Sequence, residues 1–369
     1  MTIIGYGTYG CIYKPPIKCS KKGKTLRINY ANKIAKLLTQ KSANTEYAEY
    51  DKVSKIDPKN KYHLGKPVLC EADAEDLKKQ TDEHPCNKYE KERDNQEFRL
   101  LIMEYGGTEL KEYIKNKKDM TMDFWKKARN LLEGAQLFAK HNLTHRDIKP
   151  SNILLNPKSK RLIYIDFGLT HDMTELKNKI LDGTKKTKFH WIYPFEYGLV
   201  QNSINIISMS PPDADAFYQK TANLILHDSL TDEYKNVEKI FTMMDDRIFP
   251  LNQAKKESMI YDSIDAIRQF ANAEQFIEAM VKSIDAFSLG LTLNETLNAF
   301  YDAGKIDDIF YKEMHAIFAR MTDFNLKERL TDYKTIIELY DKAMKIGNSK
   351  RIIRTRKNLA HDGFTPVRV

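Results

Sequence analysis

Between Leu143 and Leu155 the chain reads LTHRDIKPSNILL, and fourteen residues beyond Asn152 the apolar run RLIYIDFGL delivers Asp166, Phe167 and Gly168. No other feature narrows the possible folds so far. Five specified residues, His145, Arg146, Asp147, Lys149 and Asn152, would match by chance in roughly one chain of this length in ten thousand. Carboxylate, cation and amide are thus crowded into one loop, and a second carboxylate follows at the end of a short buried strand.

A weaker signal lies at the first residues, MTIIGYGTYGCIYKP, where Gly5, Gly7 and Gly10 form a G-x-G-x-x-G pattern. A dinucleotide-binding loop needs a helix to begin at the third glycine. Here Ile12 and Tyr13 alternate as in a strand, and Pro15 and Pro16 cannot continue a helix, because proline lacks the amide donor and clashes with the preceding turn. The pattern predicts a glycine hairpin between two strands.

The 369 residues, 41% hydrophobic and 30% charged, fit two lobes or one domain with insertions. The net charge of +9 invites a nucleic-acid reading. However, the lysines are spread along the chain without interleaved aromatics, which argues against one. Two denser clusters stand out, Lys185, Lys186 and Lys188, and a C-terminal run with Lys350, Arg351, Arg354, Arg356 and Lys357 that leaves the question open. Cys11, Cys19, Cys70 and Cys86 form no C-x-x-C pair, and the nine histidines supply no zinc spacing, so reduced thiols in a cytoplasmic compartment are expected. No apolar run approaches the roughly 18 residues of a membrane helix, and the N-terminus lacks the regions of a signal peptide.

Along the chain, RINYANKIAKLL predicts a strand through Ile34, and NTEYAEYDKVSKID predicts a helix, with Tyr50, Val53 and Ile56 on one face and an end before Pro58. Residues 71–96 are charged, with few apolar anchors, and read as a surface insertion. FRLLIMEY is a buried strand stopped by Gly106 and Gly107. From TMDFWKKARNLLEGAQLFAKHN, Phe124, Ala128, Leu131, Leu132, Ala135, Phe138 and Ala139 form the apolar stripe of an amphipathic helix. The first hundred residues are strand-rich and the remainder mostly helical, an α+β pattern.

Glycine hairpin, strand lysine, H-R-D-x-K-x-x-N and D-F-G, in this order, resemble the eukaryotic-type serine/threonine protein kinases. The GCIYKP after the hairpin is similar to the divergent kinases of large DNA viruses, which would place the protein in host cytoplasm and virion. The resemblance implies a small β-rich lobe over 1–105, a larger helical lobe over 106–346 with an insertion over 197–280, and a basic tail over 347–369. It implies ATP with Mg2+, or Mn2+ in its place. Asp147 would accept the proton of a substrate hydroxyl, Lys149 would offset charge on the transferred phosphoryl, and Asn152 and Asp166 would bind metal. The strand lysine is Lys33 or Lys36. The family's alanine two positions earlier favours Lys33, preceded by Ala31. Its helix partner would be Glu49, with Glu46 in reserve. Ile4, Gly5, Tyr6, Gly7, Thr8, Tyr9 and Gly10 would cover the phosphates. Ile12, Ala31 and Leu154 would enclose adenine, Met103 would guard the pocket, and the backbone of Glu104 and Tyr105 would offer hydrogen bonds, with Glu109 a weaker candidate for the ribose.

Lys149 favours serine and threonine over tyrosine as acceptors. Arg146 would meet a phosphate on the segment after D-F-G, at Thr174, Thr184 or Thr187, and the lysines 185, 186 and 188 would favour acidic protein substrates. Pro194, Phe195 and Glu196 are similar to the family's A-P-E, and Glu196 would pair with Arg329. Two departures follow: Phe189 stands where the family has a threonine, and 89 residues separate Glu196 from Asp285 where the family has a short connection. A scaffold without catalysis and a small-molecule kinase of the aminoglycoside or choline type are the rival readings.

Overall fold

Alternation along a few short runs builds the sheet that organises the N-terminal part of the chain. The computed structural model describes residues 2–7, 10–21, 24–25, 28–117, 119–187, 190–226, 235, 237–238, 241–242 and 252–346. These fall into two units by their contacts. One takes the chain up to Leu110, Leu137–Asp147 and Ser151–His171; the other takes Lys111–Gln136, Ile148–Pro150 and the described residues from Asp172 onward. Strands and helices in these proportions make the fold α+β.

The first unit holds a seven-stranded sheet of β1 (Thr2–Gly7), β2 (Gly10–Lys14), β3 (Cys19–Lys21), β4 (Lys24–Thr25), β5 (Lys33–Thr39), β6 (Val68–Ala72) and β7 (Phe98–Glu104), in the order β1-β2-β5-β7-β6-β3-β4. All neighbours are antiparallel. Side chains alternate across a strand, so Ala35 and Leu37 join Leu100 and Ile102 in one core cluster. Ile34 and Leu38 join Leu101 and Met103 in another, together with Ala43 of the helix α1 (Gln40–Ile56). Thr39 caps that helix by accepting from the Ser42 amide at 3.4 Å, and it ends at Asp57, before Pro58. The expected strand through Ile34 is present as β5, which begins at Lys33, with Ala31 and Asn32 forming an exposed turn ahead of it.

Gly10 is required by this sheet. A Cβ there would lie 1.9 Å from the Leu37 carbonyl oxygen of β5, so any side chain would force β2 and β5 apart. The pairing of Gly10 with Leu38 thereby supplies a reason for the glycine that is independent of phosphate.

The four cysteines correct the expectation of reduced thiols. Cys11 is bonded to Cys86 and Cys19 to Cys70, with Cα atoms 6.0 and 5.7 Å apart, inside the range a disulfide spans. No spacing announces the pairing: β3 beside β6 brings Cys19 to Cys70, 51 positions on, and the N-terminus of α3 (Asn87–Glu92) brings Cys86 to Cys11 on β2, 75 positions back. Residues 71–96 are correspondingly less loose than their charge suggests. They form the helices α2 (Ala74–Glu83) and α3 (Asn87–Glu92), with Cys70, Cys86, Leu77 and Tyr89 packed into the cluster around Cys11 and Cys19. Tyr13 donates to the His84 carbonyl at 3.1 Å, and the Lys18 amide donates to Asp76 at 2.7 Å. Closing loops of this length limits the unfolded chain, by about 4 kcal/mol for either bridge alone and less than the sum for two nested ones. Reduction with a dithiol, or Cys70→Ser, is therefore expected to lower the melting temperature of the first unit. Identical melting curves with and without reductant would contradict this.

The second unit is helical. The helix Asp123–Lys140 contributes residues 123–136 to it and 137–140 to the first unit. Phe124, Ala128, Leu131, Leu132 and Ala135 are buried as their stripe predicts, but so is Trp125, which lies off that stripe. Its indole packs on Phe300, Phe310 and Phe318 at 5.3, 5.8 and 6.3 Å, residues of the helices Ala273–Asp302 and Asp308–Met321. Much of the expected 197–280 insertion is helical, over Ser203–Ser208, Pro211–Leu226 and Gln253–Arg268. Among the described residues no helix is long and apolar enough to cross a membrane.

The segment after D-F-G forms a helix, Met173–Leu181. Asp172 caps it by accepting from the Glu175 amide at 2.9 Å. Leu176 and Ile180 are buried, and Lys177 pairs with Glu274 and Glu278 at 3.0 and 3.6 Å. Thr184 is exposed and donates to Asp182 at 2.6 Å, whereas Thr187 is buried. Lys188 and Phe189 lie outside the described residues, as do Thr8, Tyr9 and the 347–369 tail.

Candidate active site

Strand parity decides which lysine enters the site. Lys36 shares a face of β5 with Ile34 and Leu38, the face that packs with α1. Its ammonium lies 2.9 and 2.7 Å from the two carboxylate oxygens of Glu46, and 3.0 Å from Asp166 Oδ1. This corrects the expected pairing of Lys33 with Glu49. Lys33 stands at the strand's first residue, opposite Glu104 in register, and donates to it at 2.7 Å; that bond holds the Glu104 carboxyl below the usual carboxylate range. Glu49 instead takes Lys52, one turn along its own helix, at 2.8 Å. Glu46, the reserve, is the partner the geometry selects.

Burial alone would push the Lys36 ammonium down, but the carboxylates of Asp166 and Glu46 outweigh it and hold Lys36 above the usual lysine range. A permanent cation is thus fixed beside Asp166, whose carboxylate stays partly open with 38% of its side chain exposed. Asp166 has φ of 63° and Arg146 has φ of 63°. Such values cost a non-glycine residue energy and gather at functional sites.

The catalytic-type loop is tied to the strand before Asp166 by its backbone. The Ile165 amide donates to the Asn152 carbonyl at 3.0 Å, and His145, fully buried, donates from Nε2 to the Ile165 carbonyl at 3.1 Å. His145 Nδ1 accepts from the Asp147 amide at 3.3 Å. Asn152 donates from Nδ2 to Asp147 Oδ2 at 2.6 Å and to the Asp147 carbonyl at 3.0 Å. A neutral oxygen and a partly open carboxylate form an oxygen donor set of the kind a hard divalent cation takes, so Asn152 and Asp166 fit such an ion. Lys149 belongs to the second unit.

Around the strand lysine, Ile34, Met103, Ile12 and Tyr105 pack in one cluster. Leu154 lies against Gly106, where a Cβ would come within 2.2 Å of Leu154 Cδ1 and within 2.9 Å of Leu64. The cluster contains the expected Ile12 and Met103 but not Ala31, and Leu154 is buried beside Gly106. Once Lys36 is the lysine, Ile34 takes the position two before it. The Tyr105 amide is committed to the Asn32 carbonyl at 2.9 Å, which removes that donor from the expected hydrogen-bonding set, and Lys14 sits 3.2 Å over the Tyr105 ring. Ile4 is exposed on β1, Gly5 pairs with Ile12, and Tyr6 and Gly7 pair with Cys11 and Gly10 across the hairpin. Glu109 pairs in backbone register with Leu154.

A glycine hairpin at the edge of an antiparallel sheet, a buried lysine–glutamate pair and a loop Asp–Asn pair beside a strand-end Asp form the pattern of the kinase class. The protein kinase domain matches residues 1–190, and the chain belongs to that family. Among curated relatives, it is 36% identical over 77 residues to the SNF1-like protein kinase ssp2 of Schizosaccharomyces pombe, covering 21% of this chain and 13% of that one. It is 39% identical over 101 residues to calcium-dependent protein kinase 4 of Plasmodium berghei, covering 26% and 19%. To the probable serine/threonine-protein kinase HSL1 of Saccharomyces cerevisiae it is 33% identical over 93 residues, covering 24% and 6%. The matched stretches span less than a fifth of each of these relatives.

Proposed function

We propose that the chain is a serine/threonine protein kinase that transfers the γ-phosphoryl group of ATP to hydroxyls of protein substrates. The observation that carries this reading is Lys36 held between Glu46 and Asp166, in the same unit as the Asp147–Asn152 pair. Phosphoryl transfer needs positioning and charge neutralisation more than covalent chemistry, and those groups supply both.

In this reading Lys36 holds the nucleotide phosphates, and Glu46 keeps its ammonium aimed. Ile12, Ile34, Met103 and Leu154 enclose the adenine, and the hairpin through Gly5, Gly7 and Gly10 lies over the phosphates. Asp147 orients the acceptor hydroxyl and takes its proton, and Lys149 offsets charge on the phosphoryl in flight. Asn152 and Asp166 would hold Mg2+, which would neutralise phosphate charge. Lys149 and the serine/threonine kinases among the relatives support hydroxyl acceptors of that type. The GCIYKP likeness to viral kinases, and the division into lobes at 1–105 and 106–346, belong to the same proposal.

Transfer from radiolabelled ATP to a protein mixture, followed by phosphoamino-acid analysis, tests the reading. Label on phosphoserine and phosphothreonine is expected; label only on small metabolites would favour a small-molecule kinase instead. Asp147→Asn is expected to lower kcat by about 10²–10⁴-fold while leaving the KM for ATP within a few fold. A normal kcat in that variant would remove Asp147 from the proton-accepting role. Lys186 is exposed beside half-buried Lys185, and acidic peptides should be phosphorylated faster than basic ones, a preference that Lys185→Ala with Lys186→Ala should erase. Equal rates on both libraries would rule the preference out.

A further inference from the structure

The segment joining α1 to β6 contains a buried chain of hydrogen bonds that the roles above leave unused. Asp57 accepts from the Lys61 and Tyr62 amides at 3.0 and 2.8 Å, and its Oδ2 lies 3.0 Å from His63 Nδ1. His63 Nε2 lies 3.0 Å from Ser54 Oγ, on the last turn of α1. With Nδ1 donating to the carboxylate, Nε2 accepts from the serine hydroxyl, so both ring nitrogens are used. The His63 side chain is 0% exposed. Burial would push the Asp57 carboxyl up, but the bonds from His63, Tyr62 and Lys61 outweigh it and hold it below the usual carboxylate range.

The same segment grips the strand that leads to Asp166. The Tyr62 carbonyl accepts from the Tyr164 amide at 2.9 Å. The His63 ring stands edge-on to Phe167, centroids 6.2 Å apart and planes at 89°. Phe167 also meets Tyr50 of α1 at 4.9 Å and His145 at 4.8 Å. One loop therefore touches both the end of the helix that presents Glu46 and the residue that follows Asp166. A purely space-filling role would be served by an apolar side chain without burying two ring nitrogens.

We infer that His63 is a positioning residue, tied by Asp57 and Ser54, that sets α1 and Phe167 relative to each other so that Glu46 and Asp166 reach Lys36 together. The inference rests on the kinase reading for the use of Lys36, but not for the linkage itself. It predicts that His63 acts through Glu46, and a double-mutant cycle reads that directly.

The full chain is purified as wild type, His63→Ala, Ser54→Ala, Glu46→Gln and the two doubles with Glu46→Gln. Each is measured for the Kd of Mg2+·ATP by calorimetry, for kcat and KM, and for melting temperature. His63→Ala is expected to weaken Mg2+·ATP binding and lower kcat/KM, each by about tenfold, and Ser54→Ala by about threefold. Both losses should largely vanish in the Glu46→Gln background, where the aimed ammonium is already lost. Losses that persist undiminished beside Glu46→Gln, or wild-type Kd and kcat/KM in Ser54→Ala, would overturn the proposal, and the serine variant keeps the test readable if His63→Ala does not fold. A wild-type chain that binds Mg2+·ATP but transfers nothing would sink the kinase reading, while the coupling would still be decided on Kd.

Discussion

Lys36→Met will lower phosphoryl transfer by at least about a hundredfold, and Lys33→Met will leave it within a few fold. The two lysines lie three residues apart on one strand, yet they occupy different chemical settings. Lys36 is 8% exposed, clamped by Glu46 and Asp166, and its loss would leave two carboxylates facing each other without their shared cation. Lys33 makes one ion pair with a half-exposed Glu104, an interaction of a kind worth about 0–1 kcal/mol. Initial rates over a range of ATP concentrations distinguish them, with melting curves to confirm that both variants fold. If Lys33→Met abolishes transfer and Lys36→Met does not, the geometric assignment is wrong.

The second large effect is on stability. Arg329 and Glu196 are 0% and 1% exposed and meet through two parallel bonds, at 2.5 and 3.0 Å. The guanidinium also donates to Ser283 Oγ at 3.0 Å and to the Asp323 carbonyl at 2.6 Å. Removing one partner of such a pair leaves a charge buried without compensation and typically costs about 3–5 kcal/mol. Arg329→Met should therefore lower the melting temperature of the second unit by roughly 10 °C, using about 2–4 °C per kcal/mol for a unit of this size. Adding Glu196→Gln to Arg329→Met should recover part of the loss, because it removes the stranded carboxylate. A melting temperature within 2 °C of wild type for Arg329→Met, on the same scale, would show that the pair contributes little.

The legible parts of the site were those with a local signature. His145, Asp147, Asn152 and Asp166 stand at spacings set by one loop and one strand, and the loop and strand are joined by the Ile165 amide to the Asn152 carbonyl, by the His145 ring to the Ile165 carbonyl and by the Asn152 side chain to that of Asp147. The amphipathic helix and β7 were equally readable from their apolar patterns. The strand lysine is legible by parity, since Ile34 and Leu38 at two residues either side of Lys36 mark the buried face and Lys33 lies off it, whereas the alanine two positions earlier points to Lys33. Glu46 and not Glu49 follows from the same correction. Asp172 followed three residues later by Glu175 carries the start of the helix after D-F-G in the sequence itself. The cysteine pairs have no local signal, since strand order joins Cys19 to Cys70 and the packing of α3 on the sheet joins Cys86 to Cys11, neither set by distance along the chain.

Those pairs also divide the site along the chain. Lys36 and Glu46 both lie inside the ring closed by Cys19 and Cys70, which is itself enclosed by the ring of Cys11 and Cys86, whereas Asp147, Asn152 and Asp166 lie beyond both. A single backbone cut between Cys19 and Cys70 would leave its two ends covalently joined. The lysine and its glutamate would remain parts of one molecule on a non-reducing gel and become separate fragments only once thiol was added, if the cut fell between them. A cut between Cys86 and Asp147 would release the carboxylate half at once from any covalent tie.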